Sequence, residues 1–263
     1  MSSTYTTGLI KGSGLIDETL SLLDLWEPQT DGRKLADLAV AKNVISKATA
    51  KRTKDIVREF SYRYLVGSGT AAPYLKTLVQ SSVSLNRLKQ ILIIYTSRAH
   101  PILYDFIFHV YWDRVRNNCE YLENRDAQRF LHQALLNGNI DNRWTDEVIK
   151  KISTRLLTCL RDFDYISADT TLKRRIVPYS ILPLTAMFLS HEIHFSGFSD
   201  NSILESPDWA LFGIFGKADV VNVLKQASRD EVFILQYSGD LLRISWKYNT
   251  MEELLHAFTR REL

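Results

Sequence analysis

Thr49-Ala-Lys-Arg-Thr-Lys-Asp-Ile-Val-Arg-Glu-Phe-Ser-Tyr-Arg-Tyr-Leu65 carries the two-sided pattern of an amphipathic helix. At about 100° per residue, Thr53, Ile56, Val57, Phe60 and Tyr64 share one face. Lys51, Lys54, Arg58 and Tyr62 lie roughly opposite, with Asp55 among them and Arg52 and Arg63 on the flank. A helix of this kind packs on one side and offers spaced cations on the other, as a phosphate backbone or a DNA groove requires. Just upstream, Leu35, Leu38 and Ala39 mark a shorter helix, which Asn43 ends in a left-handed conformation. Ser46 or Thr49 caps the basic helix. Together these elements predict a helix-turn-helix-like unit between residues 36 and 65.

The charge of this block is local. The 263 residues include 33 basic and 30 acidic side chains, a formal net charge of +3, so the chain is not coated in cations. From Lys42 to Arg63, however, seven cations face two acids, whereas residues 1–41 hold three cations against six acids. A nucleic-acid surface, if present, is therefore built by segregation of charge. Hydrophobic content of 45% and charged content of 24% are those of a globular protein with a substantial core. Cys119 and Cys159 stand far apart without metal-type spacing, which predicts two packed thiols in a reducing compartment. The chain does not open on a charged region followed by an apolar core, so no signal peptide is expected. Its most apolar run, 176–189, is too short to span a bilayer and contains Pro178 and Pro183. No membrane partner and a cytoplasmic location are expected.

Further helices are expected over 15–26, stopped by Pro28, over 74–95 as one or two segments, from Pro101 onward, and over 126–136. Tyr104, Phe106, Phe108, Tyr111 and Trp112 keep helical spacing, which favours core over a base-stacking platform. The loop Asn137-Gly-Asn-Ile-Asp-Asn142 is the best candidate boundary, giving a helical domain 1–136 and a C-terminal region 137–263, with a further split near 186 left open. Thr145 caps the next helix, with Asp146 and Glu147 in its first turn. That helix buries Val148 or Ile149, Ile152, Leu156, Cys159, Leu160 and Phe163, and exposes Lys150, Lys151, Arg155, Thr158 and Arg161. Two short strands with a basic loop at Lys173-Arg-Arg175 follow, the pattern of a winged helix whose wing tip contacts phosphate. A helix over 219–225, a hairpin turning at Ser238-Gly-Asp240, and a capping box Thr250-Met-Glu-Glu253 complete the chain. This last part reads either as a second winged module or as a docking element, since residues 229–263 hold five cations against six acids. The fold class is mainly α with small β-hairpins (α+β).

No Walker loop, dinucleotide fingerprint or nucleophile elbow is present, and the carboxylates form no pair suited to acid–base work. His191-Glu-Ile-His194 lacks the spacing of a helical zinc site and reads as surface or pocket-lining histidines. His100, His109, His132 and His256 are isolated and read as structural. The chain is expected to be no enzyme and to need no metal or cofactor.

Tyr5-Thr-Thr-Gly-Leu-Ile-Lys-Gly-Ser13, then Glu18-Thr19 and the block through Arg63, resemble the BrxA family of bacterial BREX phage-defence systems, as do Trp144 and the helix ending Leu160-Arg-Asp-Phe163. The resemblance implies a small non-enzymatic component encoded with a methyltransferase, an ATPase and a phosphatase-like protein. That family has been likened to the RNA-binding antitermination protein NusB and described as binding double-stranded DNA. Its members are sometimes labelled inner-membrane proteins, although no segment here is fit to span one. Asn43 replaces the glycine usual in a helix-turn-helix turn, which favours a basic helical surface over groove insertion. The expected nucleic-acid-binding residues are Lys47, Lys51, Arg52, Lys54, Arg58, Lys151, Arg155, Lys173, Arg174 and Arg175. Double-stranded DNA is the expected partner, contacted through its backbone, with other BREX subunits or structured RNA as alternatives.

Overall fold

The computed structural model describes residues 5–46, 48–66, 71–81, 83–140, 144–168, 173–230, 232–239 and 241–260. The chain forms two compact units, and both are interleaved in sequence: residues 1–66 with 93–179, and 67–92 with 180–263. The boundary expected near 137 therefore falls inside the first unit. The helices on either side of it pack on each other, which two independent domains would not do.

In the first unit, α1 (Ile16–Leu25), α2 (Gly32–Ala41) and α3 (Ala50–Tyr64) pack pairwise. Asp31 caps α2 by accepting from Lys34 N at 2.8 Å, and Thr49 caps α3 by accepting from Arg52 N at 3.2 Å. Asn43 closes α2 in the left-handed region at φ +48°. Asparagine takes that region more readily than other non-glycine residues, which is why it replaces glycine here. The expected apolar stripe of α3 is buried, with Thr53, Ile56, Val57, Phe60 and Tyr64 all at 4% exposure or less.

Between the two segments of this unit come α4 (Ala71–Val79) and α5 (Leu85–Ala99). After α5, α6 (Pro101–Phe106) runs into a π-helical turn at Ile107–Tyr111 and then α7 (Trp112–Arg116). Phe106, Tyr111 and Trp112 are buried and Tyr104 and Phe108 half-buried, so the aromatic stretch is core. β1 (Tyr121–Glu123), α8 (Asn124–Leu136), α9 (Asp146–Asp162), β2 (Ile166–Ala168) and β3 (Lys173–Ile176) complete the first unit. The three strands form an antiparallel sheet in the order β1-β3-β2, with Leu122 opposite Arg174 and Arg174 opposite Ala168. Lys173, Arg174 and Arg175 are thus residues of the central strand. The expectation of a basic loop is corrected: these side chains alternate across a sheet. The connection between β2 and β3, residues 169–172, lies outside the described residues.

The second unit takes α4, α5 up to Leu92, α10 (Pro183–Phe195), α11 (Asp200–Glu205), a 3-10 turn at Pro207–Phe212, α12 (Lys217–Ala227), β4 (Phe233–Ser238), β5 (Leu241–Trp246) and α13 (Met251–Arg260). β4 and β5 form the expected antiparallel hairpin. Thr250 Oγ1 accepts from Glu253 N at 3.2 Å, the N-cap half of the expected capping box, while Glu253 reaches one residue further back and accepts from Asn249 N at 2.8 Å. On α10, His191 is fully buried against Phe195, Phe233 and Trp246, and His194 stacks on Trp246 at 4.3 Å. His191 is thus neither surface nor pocket-lining. It donates Nδ1–H to Met187 O at 2.7 Å, and its Nε2 has no partner.

Candidate nucleic-acid interface

The exposed side of α3 presents Lys51, Lys54 and Arg58, as its periodicity requires. The field of these cations is partly quenched. Arg58 lies 2.7 Å from Asp55, which also takes Lys11 at 3.2 Å, and Lys54 lies 3.9 Å from Asp37 on α2. Arg52 is half-buried and donates to the Lys11 carbonyl, so it works as a tie to the N-terminal segment. Lys47 lies outside the described residues.

The face of α9 is less compensated. Lys150, Lys151, Thr154, Arg155 and Arg161 are exposed along one side, while Ile149, Ile152, Leu156, Cys159 and Leu160 are buried on the other. Lys151 has only a loose contact with Glu147 at 4.0 Å, and Arg161 takes Asp162 at 3.0 Å. Thr154 and Thr158 return their hydroxyls to the carbonyls of Lys150 and Thr154, at 3.0 and 2.8 Å. The cationic side chains are therefore the groups that this face extends furthest. On β3, Lys173 and Arg175 rest over the Tyr121 ring at 5.7 and 5.6 Å, and Arg175 reaches Glu120 at 3.3 Å. Arg174 points to the opposite side of the sheet, where its neighbour Leu122 is buried.

Both basic helices grip one short segment. Arg63, on the last turn of α3, donates to the carbonyls of Gly12, Ser13 and Gly14 at 2.9, 2.8 and 3.1 Å. The N–H of Gly14 donates to Asp162, the last residue of α9, at 3.0 Å. A Cβ at Gly14 would lie 2.5 Å from Asp162 Cβ, so only glycine allows this approach. Gly8 is similarly close to the His100 ring, with a Cβ there meeting Cε1 at 2.8 Å. His100 in turn hydrogen-bonds Glu59 through Nε2, and Glu59 pairs with Arg63. Burial alone would raise the Glu59 carboxyl; the His100 hydrogen bond and the Arg63 charge outweigh it and hold the group below the usual carboxylate range. The helical wheel sets Arg63 on the flank of α3 and by itself assigns Glu59 no role. A signal for both is nonetheless present, because Ile56, Glu59, Phe60 and Arg63 follow the i, i+3, i+4, i+7 spacing of a core stripe.

An open cavity of about 590 Å³ lies beside the π-helical turn, lined by His109, Arg114, Asp126, Arg129 and Phe130 among others. Asp126 is already committed to Arg114 and to the Glu123 N–H, in a capping box that opens α8. Cys159 is buried and its thiol is pushed up to about 12 by burial, which makes it unreactive. Among the described residues no group of three metal-ligating side chains is assembled, and no helix is long and apolar enough to cross a membrane.

The BrxA family model matches residues 3–192. That range includes the Gly12–Gly14 strap, both basic helices and the three-stranded sheet. No curated protein matches the chain. Among solved structures, the crystal structure of an uncharacterized protein from Magnetospirillum magneticum has the same fold, with a TM-score of 0.58 at 18% identity over 73% of this chain and 94% of that one.

Proposed function

The chain belongs to the BrxA family, and from that premise we propose that this BREX-associated protein is a non-enzymatic, duplex-DNA-binding component of phage defence. The observation that carries the reading is the arrangement of the first unit. Its order runs α7, β1, α8, α9, β2, β3, with β3 between β1 and β2 in the sheet. This order supports a winged-helix reading, in which α9 is the recognition helix and the β2–β3 strands belong to the wing. The helix so placed is also the one whose exposed side carries Lys150, Lys151 and Arg155 with little compensating acid. Lys and Arg dominate over Asn and Gln on this side, so the contacts fall on the phosphate backbone and sequence preference is weak. The α3 surface, with Lys51, Lys54 and Arg58, supplies a second and weaker set of contacts.

A gel-shift series with duplex DNA, duplex RNA and single strands across a range of salt tests the reading. Duplex DNA binds most tightly, and its affinity falls by roughly 0.9 log units per log of salt for each phosphate neutralised. Absence of a shift at low salt, or a shift indifferent to salt, overturns it. Preference for duplex RNA moves the function to the structured-RNA alternative. A protein-docking role has its own support in the hairpin beyond residue 192, where Ile234 on β4 is 68% exposed. Charge reversal at Lys150, Lys151 and Arg155 separates the two: defence that survives loss of DNA binding makes the protein a scaffold.

A further inference from the structure

In the second unit α10, α11 and α12 pack on one another, and the β4–β5 hairpin follows, with β4 against α12 and β5 against α11. In the first unit the last strand, β3, takes β1 on the edge away from β2. In the second, the corresponding edge of β5 is closed by side chains from the start of α11: Asn201 Oδ1 accepts from Leu242 N and Asp200 Oδ2 from Ile244 N, each at 2.8 Å. Three packed helices and a hairpin in this order support a second winged-helix reading, in which α12 is the recognition helix. The side chains of α12 divide sharply. Val220, Val221, Leu224 and Ala227 are buried. Ala218, Asp219, Asn222, Lys225 and Gln226 are exposed, as is Arg229 in the turn that follows. At about 100° per residue these six fall on one face centred on Asn222.

That face is poorly suited to a merely solvated helix. Lys225 and Arg229 are like charges four residues apart, which repel, and asparagine in a helix interior is a weak helix former. Among the described residues the side chains of Asn222, Lys225, Gln226 and Arg229 make no hydrogen bond or ion pair. The same residue types suit the major groove. Asn and Gln pair through two hydrogen bonds with the edge of adenine, Asp accepts from the amino group of cytosine, and a small residue such as Ala218 lets the helix approach closely. Readers at the start of the helix, with cations one or two turns further on, match the docking of a recognition helix by its N-terminal residues. We propose that α12 enters the major groove of duplex DNA and reads base sequence through Asn222 and Gln226, with Lys225 and Arg229 held on flanking phosphates. The exposed Arg243 and Lys247 of the hairpin side add to the positive field. The inference rests on the duplex-DNA reading and goes beyond it: α9 supplies backbone affinity, and α12 supplies sequence preference.

The test uses the full chain as wild type, as the double variant Asn222→Ala with Gln226→Ala, and as the triple variant Lys150→Gln, Lys151→Gln and Arg155→Gln on α9. Each is offered a pool of random-sequence DNA duplexes, and the recovered pool is sequenced. Kd is then measured for the recovered duplex and for a scrambled duplex of the same composition. Wild type enriches a motif that contains adenine and binds it more tightly than the scrambled duplex. The α12 variant loses that preference by roughly 5- to 150-fold for each amide contact removed, while its affinity for the scrambled duplex is unchanged. Alanine is the better helix former, so its unfolding midpoint stays at or above that of wild type. The α9 variant binds both duplexes more weakly and keeps their ratio. Duplex binding with no enriched motif, or a motif that the α12 variant enriches equally, overturns base reading by α12 and leaves backbone binding by α9 intact. A motif retained by an α9 variant of undiminished affinity overturns α9 as the interface, and α12 stands. Absence of binding to any duplex overturns both. Loss of phage defence in the α12 variant with its duplex preference unchanged makes the face a protein-docking surface and overturns the inference.

Discussion

Glu59 and Arg63, one turn apart on α3, form an ion pair of 2.8 Å in which neither side chain is more than 7% exposed. The two terminal nitrogens of Arg63 donate to carbonyls of the Gly12–Gly14 strap, and Glu59 also takes His100. The pair therefore serves as a pin holding the N-terminal motif against the end of α3. Removing Arg63 leaves the buried Glu59 carboxylate with its His100 hydrogen bond but without its cation, and breaking a buried ion pair in this way typically costs about 3–5 kcal/mol. Arg63→Met is expected to lose about that much in denaturant unfolding. The double variant Arg63→Met with Glu59→Leu is expected to lose less than the sum of the single changes. Strictly additive losses would mean that the two side chains act independently.

Gly14 ties the same strap to α9. Its N–H donates to Asp162, and a methyl group at its Cα would sit 2.5 Å from Asp162 Cβ. Gly14→Ala therefore forces either the strap or the end of α9 to move, at a cost of about 1–3 kcal/mol by analogy with other overpacked sites. Asp162→Gly removes both the Cβ and the carboxylate that crowd the position, and with them the acceptor. The double variant Gly14→Ala with Asp162→Gly is expected to unfold close to Asp162→Gly alone, and a much less stable double variant would show that the clash lies elsewhere.

Burial, followed by the charge of His194, pushes the buried His191 imidazole down to about 4 from an unfolded value of 6.5, against the Met187 hydrogen bond. The neutral form is the folded form. The contribution of His191 to stability is therefore complete above pH 6.5 and is lost as pH falls toward 4, because the unfolded chain takes up the proton first. The maximum effect is on the order of 3 kcal/mol, since each tenfold change in proton affinity is worth about 1.4 kcal/mol. Hydrogen exchange of the β4 and β5 amides should accelerate on going from neutral pH to about pH 4.5 beyond its intrinsic pH dependence. His191→Phe should flatten that change, and an identical profile in the variant would remove His191 as its cause.

Local pattern made much of the fold legible. The stripes of α3 and α9, the left-handed Asn43, the Thr250 cap on Glu253 N and the hairpin at Gly239 are each set by residues within one or two turns of each other. The parts that escaped depend on partners distant in sequence. Lys173, Arg174 and Arg175 look like a loop until β1, some fifty residues earlier, pairs with them along Tyr121–Glu123. The role of Arg63 depends on carbonyls about fifty residues away. The interleaving of the two units likewise follows from packing between segments that sequence spacing cannot connect. Of the candidate interface, the exposed cations of both helices were legible, but their compensation was not. Asp55 could be seen beside Arg58 on the same helix, whereas Asp37 reaches Lys54 from another one.

That difference in compensation ranks the two basic helices. On α3, Arg58 and Lys54 must give up Asp55 and Asp37 to engage phosphate, so the net gain per cation is small. On α9, Lys150 and Arg155 form no ion pair among the described residues, and Lys151 is held only at 4.0 Å by Glu147. Replacing Lys150, Lys151 and Arg155 by Gln should make the salt slope of duplex binding shallower by about 2–3 units, near the limit for three phosphates. Replacing Lys51, Lys54 and Arg58 by Gln should change it by about one unit, since the freed acids offset part of the loss. All six side chains are solvent-facing, so both triple variants should keep the unfolding midpoint of wild type within about two degrees. The reverse ranking would place the duplex on α3 and leave α9 as an ordinary solvated helix.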